Sequence, residues 1–300
     1  MKRLFLIVWL VIFLAGCDDA AATPPAETDS PAPATASEAV PTSTPLPPTP
    51  TPELELLPLP LAPQRIEFQA EDGVMLVGYY YPAAANPAPV VVLMHEGGGN
   101  QTDWLYVGMV SWLQNRGAEI PTLPEKKHFD TPYPFPPLPE DLSFAVFTFD
   151  FRGNGESAGK MDRNEFILDA RAAYQTAAGL EGVDPAWVTG IGASIGADGV
   201  VDSCEACAGA LSLGPGDWLG MPYGPAVTAM DDEKKPVLCV AAEGDQTSVQ
   251  ACNGANGQYY QKQIYSAGGH GMQLFRIENN LQPSIETVIL DFLEAILGLP

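Results

Sequence analysis

The apolar positions beyond residue 64 fall into two alternating patterns. Short runs with almost no polar interruption occur at 89–94 (PVVVLM), 144–149 (FAVFTF), 208–213 and 236–242. Runs of this length and β-branched content suit strands covered on both faces of a parallel sheet. Between them lie stretches with helical spacing: 102–115, a segment reaching 178 with Asp162 as its cap, the stretch from Ser194 to Asp202, and 285–297. The series opens with a hairpin, 65–70 and 74–81 around the turn Glu71-Asp72-Gly73. A strand beginning near Trp187 and another at 261–265 complete the set. Strands alternating with helices predict an α/β domain with a mostly parallel sheet of about eight strands, its ligand crevice at their carboxyl ends.

The first 64 residues follow neither pattern. Met1-Lys2-Arg3 is basic and residues 4–14 are an unbroken apolar run, too short to span a bilayer and suited to a signal-peptide core. Leu14-Ala-Gly-Cys17 follows and resembles the lipobox of bacterial lipoproteins, which implies a signal peptide at 1–16 and a lipidated Cys17. Residues 18–64 hold thirteen prolines, seven acids and neither Lys nor Arg. Such a segment buries too little apolar surface to offset its ordering entropy, so a disordered tether at 17–64 and a folded domain at 65–300 are expected.

Charge narrows the partners. The formal net charge is −23, and residues 65–300 retain −18 of it once the leader and tether are set aside. A domain this acidic repels nucleic acid and anionic headgroups, so no nucleic-acid partner is expected. The membrane is reached through the anchor at Cys17, and the domain is expected to be monomeric.

The candidate chemistry centres on Gly192-Ala193-Ser194-Ile195-Gly196, which fits G-x-S-x-G between a buried strand and a helix. This is the nucleophile-elbow pattern, in which small flanking residues let a serine occupy a sharp turn. Earlier strands end in His95-Glu96-Gly97-Gly98-Gly99-Asn100 and in Asp150-Phe-Arg152-Gly-Asn-Gly155-Glu-Ser157. In this order the motifs resemble the α/β-hydrolase fold, and the stretches at 68–78 and 152–157 are similar to its dienelactone-hydrolase-like and serine-esterase branches. The resemblance covers 65–297 and implies a triad in the chain order Ser, acid, His, with no cofactor.

Three histidines are available. His95 precedes the serine and takes a structural role in the oxyanion loop of the family. His128 lies in a proline-rich insertion at 121–140, read as a covering loop or partner surface away from the crevice. His270, in a glycine-rich loop after the last strand, is the expected base. Asp245, after the strand at 236–242, is the expected acid, with Glu243 as the fallback; Asp231, Asp232 and Glu233 read as a solvated turn. The oxyanion donors are expected from Gly97 and Ile195, with Glu96 competing for the first position. Glu96 stands where the family usually has glycine; it either contacts the resting nucleophile or faces solvent. Arg152 and Asp150 read as loop braces, and Asp169 and Arg171 fit a helix face. Trp218, Met221 and Tyr223 follow a strand's carboxyl end, where they line an acyl pocket or pack in the core. The span 214–235 is short for a cap domain, which predicts an open site.

Cys204, Cys207, Cys239 and Cys252 lack a second pair at zinc spacing, so no metal site is expected. An oxidising compartment favours two disulfides, Cys204–Cys207 and Cys239–Cys252, other pairings remaining open. The reading is a membrane-tethered, extracytoplasmic serine hydrolase acting on a small-molecule carboxylic ester. The alternatives are a peptidase or thioesterase on the same scaffold, or a binding protein on a degenerate one.

Overall fold

The computed structural model describes residues 58–123 and 131–298. The chain divides into two units, Met1–Pro52 and Glu53–Pro300, of which the first lies outside the described residues. Cys17, the leader and His128 lie outside them too, as does most of the tether.

Eight strands form one sheet in the order β1-β2-β4-β3-β5-β6-β7-β8: β1 Gln64–Gln69, β2 Met75–Tyr81, β3 Ala88–Met94, β4 Ala145–Asp150, β5 Val183–Ala193, β6 Gly209–Leu213, β7 Val237–Ala242 and β8 Tyr260–Tyr265. The first two pair antiparallel, β2 joins β4 antiparallel, and all later pairs are parallel. Strand β3 shows why its run is wholly apolar. Val90, Val92 and Met94 enter the core on one face, and Val91 and Leu93 enter the core on the other.

The helices are α1 Thr102–Val107, α2 Met109–Gln114, α3 Phe166–Ala178, α4 Ile195–Asp202, α5 Tyr223–Asp232, α6 Gln246–Gly254 and α7 Ile285–Leu297. Helices α3 to α6 cover one face, while α1, α2 and α7 cover the other. After β3 the chain crosses to β4, then passes back over β3 to β5 and continues in the opposite direction. That reversal opens a crevice at the carboxyl ends of β3 and β5, where loops leave to opposite sides.

Three local expectations are corrected. The helix expected over 102–115 is two helices, because Gly108 takes φ 94° and the Val107 carbonyl is given instead to the N–H of Tyr133 at 3.0 Å. Asp162 caps no helix: it holds a turn through Asn164 N–H at 3.1 Å, and α3 starts only at Phe166. Asp231 and Asp232 end α5 rather than forming a free turn, and Asp231 Oδ1 accepts from Tyr259 N–H at 2.6 Å.

The described part of the proline-rich insertion is a strap across α1 and α2. Phe135 stacks on Trp112 with centroids 4.6 Å apart, and the Trp112 indole donates to Pro136 O at 2.8 Å. Arg152 braces loops as expected: it bonds buried Asp169 at 2.7 Å and reaches Asp72 of the first hairpin turn at 2.6 Å. Asp169 thus lies on the buried face of α3.

Candidate active site

Ser194 sits between β5 and α4 at φ 53°, ψ −115°, a conformation that costs a non-glycine residue about 1–3 kcal/mol and persists only where its surroundings fix it. The surroundings are backbone. A Cβ at Gly192 would lie 1.9 Å from the Gly196 carbonyl oxygen, and one at Gly196 would lie 2.2 Å from Met94 O. Glycine at both positions lets β5 turn into α4 against β3, and the turn lifts the hydroxyl out of the sheet. Ser194 N–H donates to Leu213 O at 2.9 Å, which locks the turn to β6.

The structure brings Ser194, His270 and Asp245 into one line. His270 Nε2 lies 2.7 Å from Ser194 Oγ, and His270 Nδ1 lies 2.6 Å from Asp245 Oδ2. An ionised carboxylate only accepts, so Nδ1 carries the imidazole proton and the Nε2 lone pair faces the serine hydroxyl. Asp245 is ionised: burial pushes its pKa up, but hydrogen bonds from Ser248 and His270 outweigh this and hold it below the usual carboxylate value. Asp245 is also the N-cap of α6, accepting from Ser248 Oγ at 2.6 Å and more loosely from Ser248 N–H. The sequence signal for Ser248 is its spacing, Asp245-x-x-Ser248 just before a helix. The fallback Glu243 has an exposed side chain beside Tyr265 and Asn279 and is not part of this line.

Ile195 is the first residue of α4, so its N–H belongs to the open N-terminal turn. Gly97 adjoins it, since a Cβ there would meet Ile195 Cγ2 at 3.8 Å. These are the expected oxyanion residues, side by side next to Ser194. His95 is fully buried; its Nε2 accepts from Phe151 N–H at 3.0 Å, which leaves Nδ1–H to donate to Glu96 O at 2.8 Å. Burial holds its pKa down, so it stays neutral and ties the loop after β3 to the loop after β4.

Glu96 does not face solvent. It is 5% exposed, and its Oε2 accepts from Met272 N–H at 3.0 Å. The carboxylate also crowds Gly271, where a Cβ would lie 2.5 Å from Oε2. Glu96 thereby connects the loop after β3 with the segment carrying His270.

The three residues expected to line one pocket diverge. Trp218 stands edge-on to His270, ring centroids 5.6 Å apart at 81°. Tyr223 is almost fully buried and borders a hollow of about 300 Å³ with Gly216, Asp217 and Thr247. Met221 is exposed and lines a different hollow with Pro225 and Met230. The separation arises because α5 begins at Tyr223 and turns that side chain inward.

Cys204 is bonded to Cys207 at the end of α4, and Cys239 of β7 to Cys252 of α6. Among the described residues no group of three or more His, Cys, Asp or Glu is placed to hold a metal ion.

No protein-family model matches the chain. The uncharacterized protein YfhR of Escherichia coli K12 is 26% identical over 141 residues, covering 46% of this chain and 40% of that protein. Its counterpart in Salmonella typhi is 25% identical over 162 residues, covering 53% and 46%. The match thus spans less than half the length of these curated relatives. Among solved structures, the alpha/beta hydrolase GrgF from Penicillium superposes with TM-score 0.57 at 14% identity, covering 80% of this chain and all of that one. The Pyrococcus furiosus esterase Pf2001 superposes with TM-score 0.55 at 16% identity, covering 79% and 92%. The domain has the α/β-hydrolase fold.

Proposed function

We propose that this protein is a serine hydrolase that cleaves carboxylic esters with short acyl chains, held outside the cytoplasm by a lipid on Cys17. The observation that carries the reading is the unbroken line from Ser194 Oγ through the His270 imidazole to Asp245, with links of 2.7 and 2.6 Å. In that line His270 Nε2 takes the hydroxyl proton as Ser194 Oγ attacks the ester carbonyl, and Asp245 stabilises the imidazolium that forms. The negative oxygen of the tetrahedral intermediate falls to the N–H groups at Ile195 and Gly97. His270 then protonates the leaving alcohol, and a water activated by the same imidazole releases the acid from Ser194.

The esterase Pf2001 shares this fold, which agrees with the reading at the level of scaffold. Among the described residues α5 is the sole helix between β6 and β7, so the crevice lacks the cover needed to bury a long acyl chain along its length. Each methylene left in water forgoes about 0.8 kcal/mol. Rates on nitrophenyl esters should therefore peak at short chains and fall beyond about eight carbons. Anchoring rests on Leu14-Ala-Gly-Cys17 after an apolar run of eleven residues.

A fluorophosphonate probe tests the chemistry. It should label the intact protein, and Ser194→Ala should abolish both labelling and ester hydrolysis. An unlabelled but folded protein would make this a binding protein instead. For the anchor, mass spectrometry of membrane-extracted protein should find Cys17 diacylated at the mature N-terminus.

A further inference from the structure

Asp198 lies one turn beyond the nucleophile on α4, its N–H returning to Ser194 O at 3.3 Å. Its side chain is 1% exposed. A carboxyl group so deep is unfavourable unless hydrogen bonds compensate it. The compensation comes from the loop after β6: Gly216 N–H donates to Oδ1 at 3.0 Å, and Trp218 N–H donates to Oδ2. The two donors converge because Asp217 between them takes φ 57°, the left-handed conformation, while its own Oδ1 accepts Tyr223 N–H at 2.6 Å and starts α5. The loop is therefore pinned on both sides of one residue.

What the loop carries is the Trp218 indole. It folds back over its own backbone, where a Cβ at Gly216 would lie 2.7 Å from the ring, and Nε1 donates to Gly214 O at 3.3 Å. From there it stands against His270. One turn of α4 thus presents Ser194 and the Ile195 N–H at its start, and at its end holds the loop that places an aromatic wall beside the base.

We infer that Asp198 is a positioning residue: by holding the Gly216 and Trp218 N–H groups it fixes the Trp218 indole against His270 and so sets the acyl-side wall of the crevice. The inference rests on the hydrolase reading above, deepening it from a triad to a determinant of substrate fit. Asp198→Asn keeps the size of the side chain but turns an N–H₂ toward one of the backbone N–H groups that meet it, at Gly216, Trp218 and Leu219. The loop then loses one anchor, while the Ser194–His270–Asp245 line keeps its bonds.

The experiment uses the full chain, wild type, Asp198→Asn, Trp218→Phe and the double variant. Fluorophosphonate labelling of the wild type reports on the hydrolase reading alone; its failure would sink that reading, whatever Asp198 does. The inference is read by the Trp218 indole N–H resonance, identified by its disappearance in Trp218→Phe, and by KM and kcat over a nitrophenyl ester series. In Asp198→Asn the resonance should shift or broaden, and KM for the butyryl ester should rise about tenfold with a smaller change in kcat, the signature of lost ground-state fit. Trp218→Phe should produce a similar KM shift, and the double variant should be little worse than either. An unmoved resonance in Asp198→Asn, or effects of the two substitutions that simply add, would overturn it. If Asp198→Asn does not fold, Trp218→Phe decides alone: unaltered KM values across the series would show that Trp218 is no wall and would sink the inference.

Discussion

Glu96 Oε2 accepts the Met272 N–H at 3.0 Å, joining the loop that follows β3 to the segment that carries His270, 176 residues further along the chain. The bond places a carboxyl group beside Gly97 and Ile195, where, on the proposed hydrolase reading, negative charge would oppose the developing intermediate. Its structural value is that two loops from distant parts of the sequence are held in register. Glu96→Gln should keep the acceptor and remove the charge, so ester turnover should hold or rise. Glu96→Ala should cost about 1–3 kcal/mol of stability by orphaning the Met272 N–H, and should lower kcat as the His270 segment loosens. Thermal melts and steady-state kinetics on the two variants separate charge from clip.

Ser248 reaches Asp245 through its hydroxyl at 2.6 Å. That bond and the one from His270 hold the Asp245 pKa down against burial. The stability this gives is present above the ordinary aspartate value and is lost as pH falls through the lowered folded value. Ser248→Ala removes one of the two stabilising side chains, so the Asp245 pKa rises toward the ordinary range. The stability lost on acidification should therefore be smaller in the variant, and its stability at pH 7 lower than that of the wild type. Urea melts at pH 7 and pH 3 measure it; an identical loss of stability between the two pH values in both proteins would contradict this account.

Asp202 behaves in the opposite sense. Both of its carboxylate oxygens are buried without a hydrogen-bond partner, and burial, with the charges of Asp198 and Asp217, pushes its pKa up to about 8. The folded protein therefore holds a proton that the unfolded chain, with an ordinary value of 3.8, has released. Stability should fall as pH rises from near 4 toward 8, by up to about 1.4 kcal/mol per pH unit for this group. Asp202→Asn should be more stable than the wild type at pH 9, with the advantage shrinking toward pH 5. Urea melts at the two pH values measure it; a constant offset between the proteins would rule it out.

The Cys239–Cys252 bond ties the strand before Asp245 to the helix that Asp245 caps, across a sequence separation of 13. Closing a loop of this length stabilises by about 3 kcal/mol on the chain-entropy view. Replacing both cysteines by alanine should lower the denaturation midpoint by a corresponding amount. It should also weaken ester turnover more than the Cys204–Cys207 pair does when replaced, because α6 sets the position of Asp245.

The parts legible in the sequence were those whose cause is local. The run ending at Met94 reads as a doubly buried strand because every residue in it is apolar, and Gly192 and Gly196 announce a turn that only glycine permits. Other features depend on which backbone groups meet across the fold. Gly108 looks like a tolerable residue inside one helix; what breaks the helix is Tyr133, which takes the Val107 carbonyl from a distant loop. Asp198 reads as one more polar residue on a helix, since its partners are N–H groups that carry no signature in the side chains. Glu96 was open to two readings because its partner is likewise a main-chain N–H, at Met272.

The strap formed by the proline-rich insertion bears on the order in which the chain becomes competent. Phe275, five residues after His270, is fully buried with Trp104, Tyr133 and Phe135 around it, centroids 6.3, 5.9 and 6.0 Å away. During synthesis those three rings emerge long before the phenylalanine that fills the space between them. A nascent chain that has reached α6 therefore already contains Ser194, Asp245 and an aromatic seat with nothing in it. His270 arrives last, and the seat waiting for Phe275 brings its segment to rest.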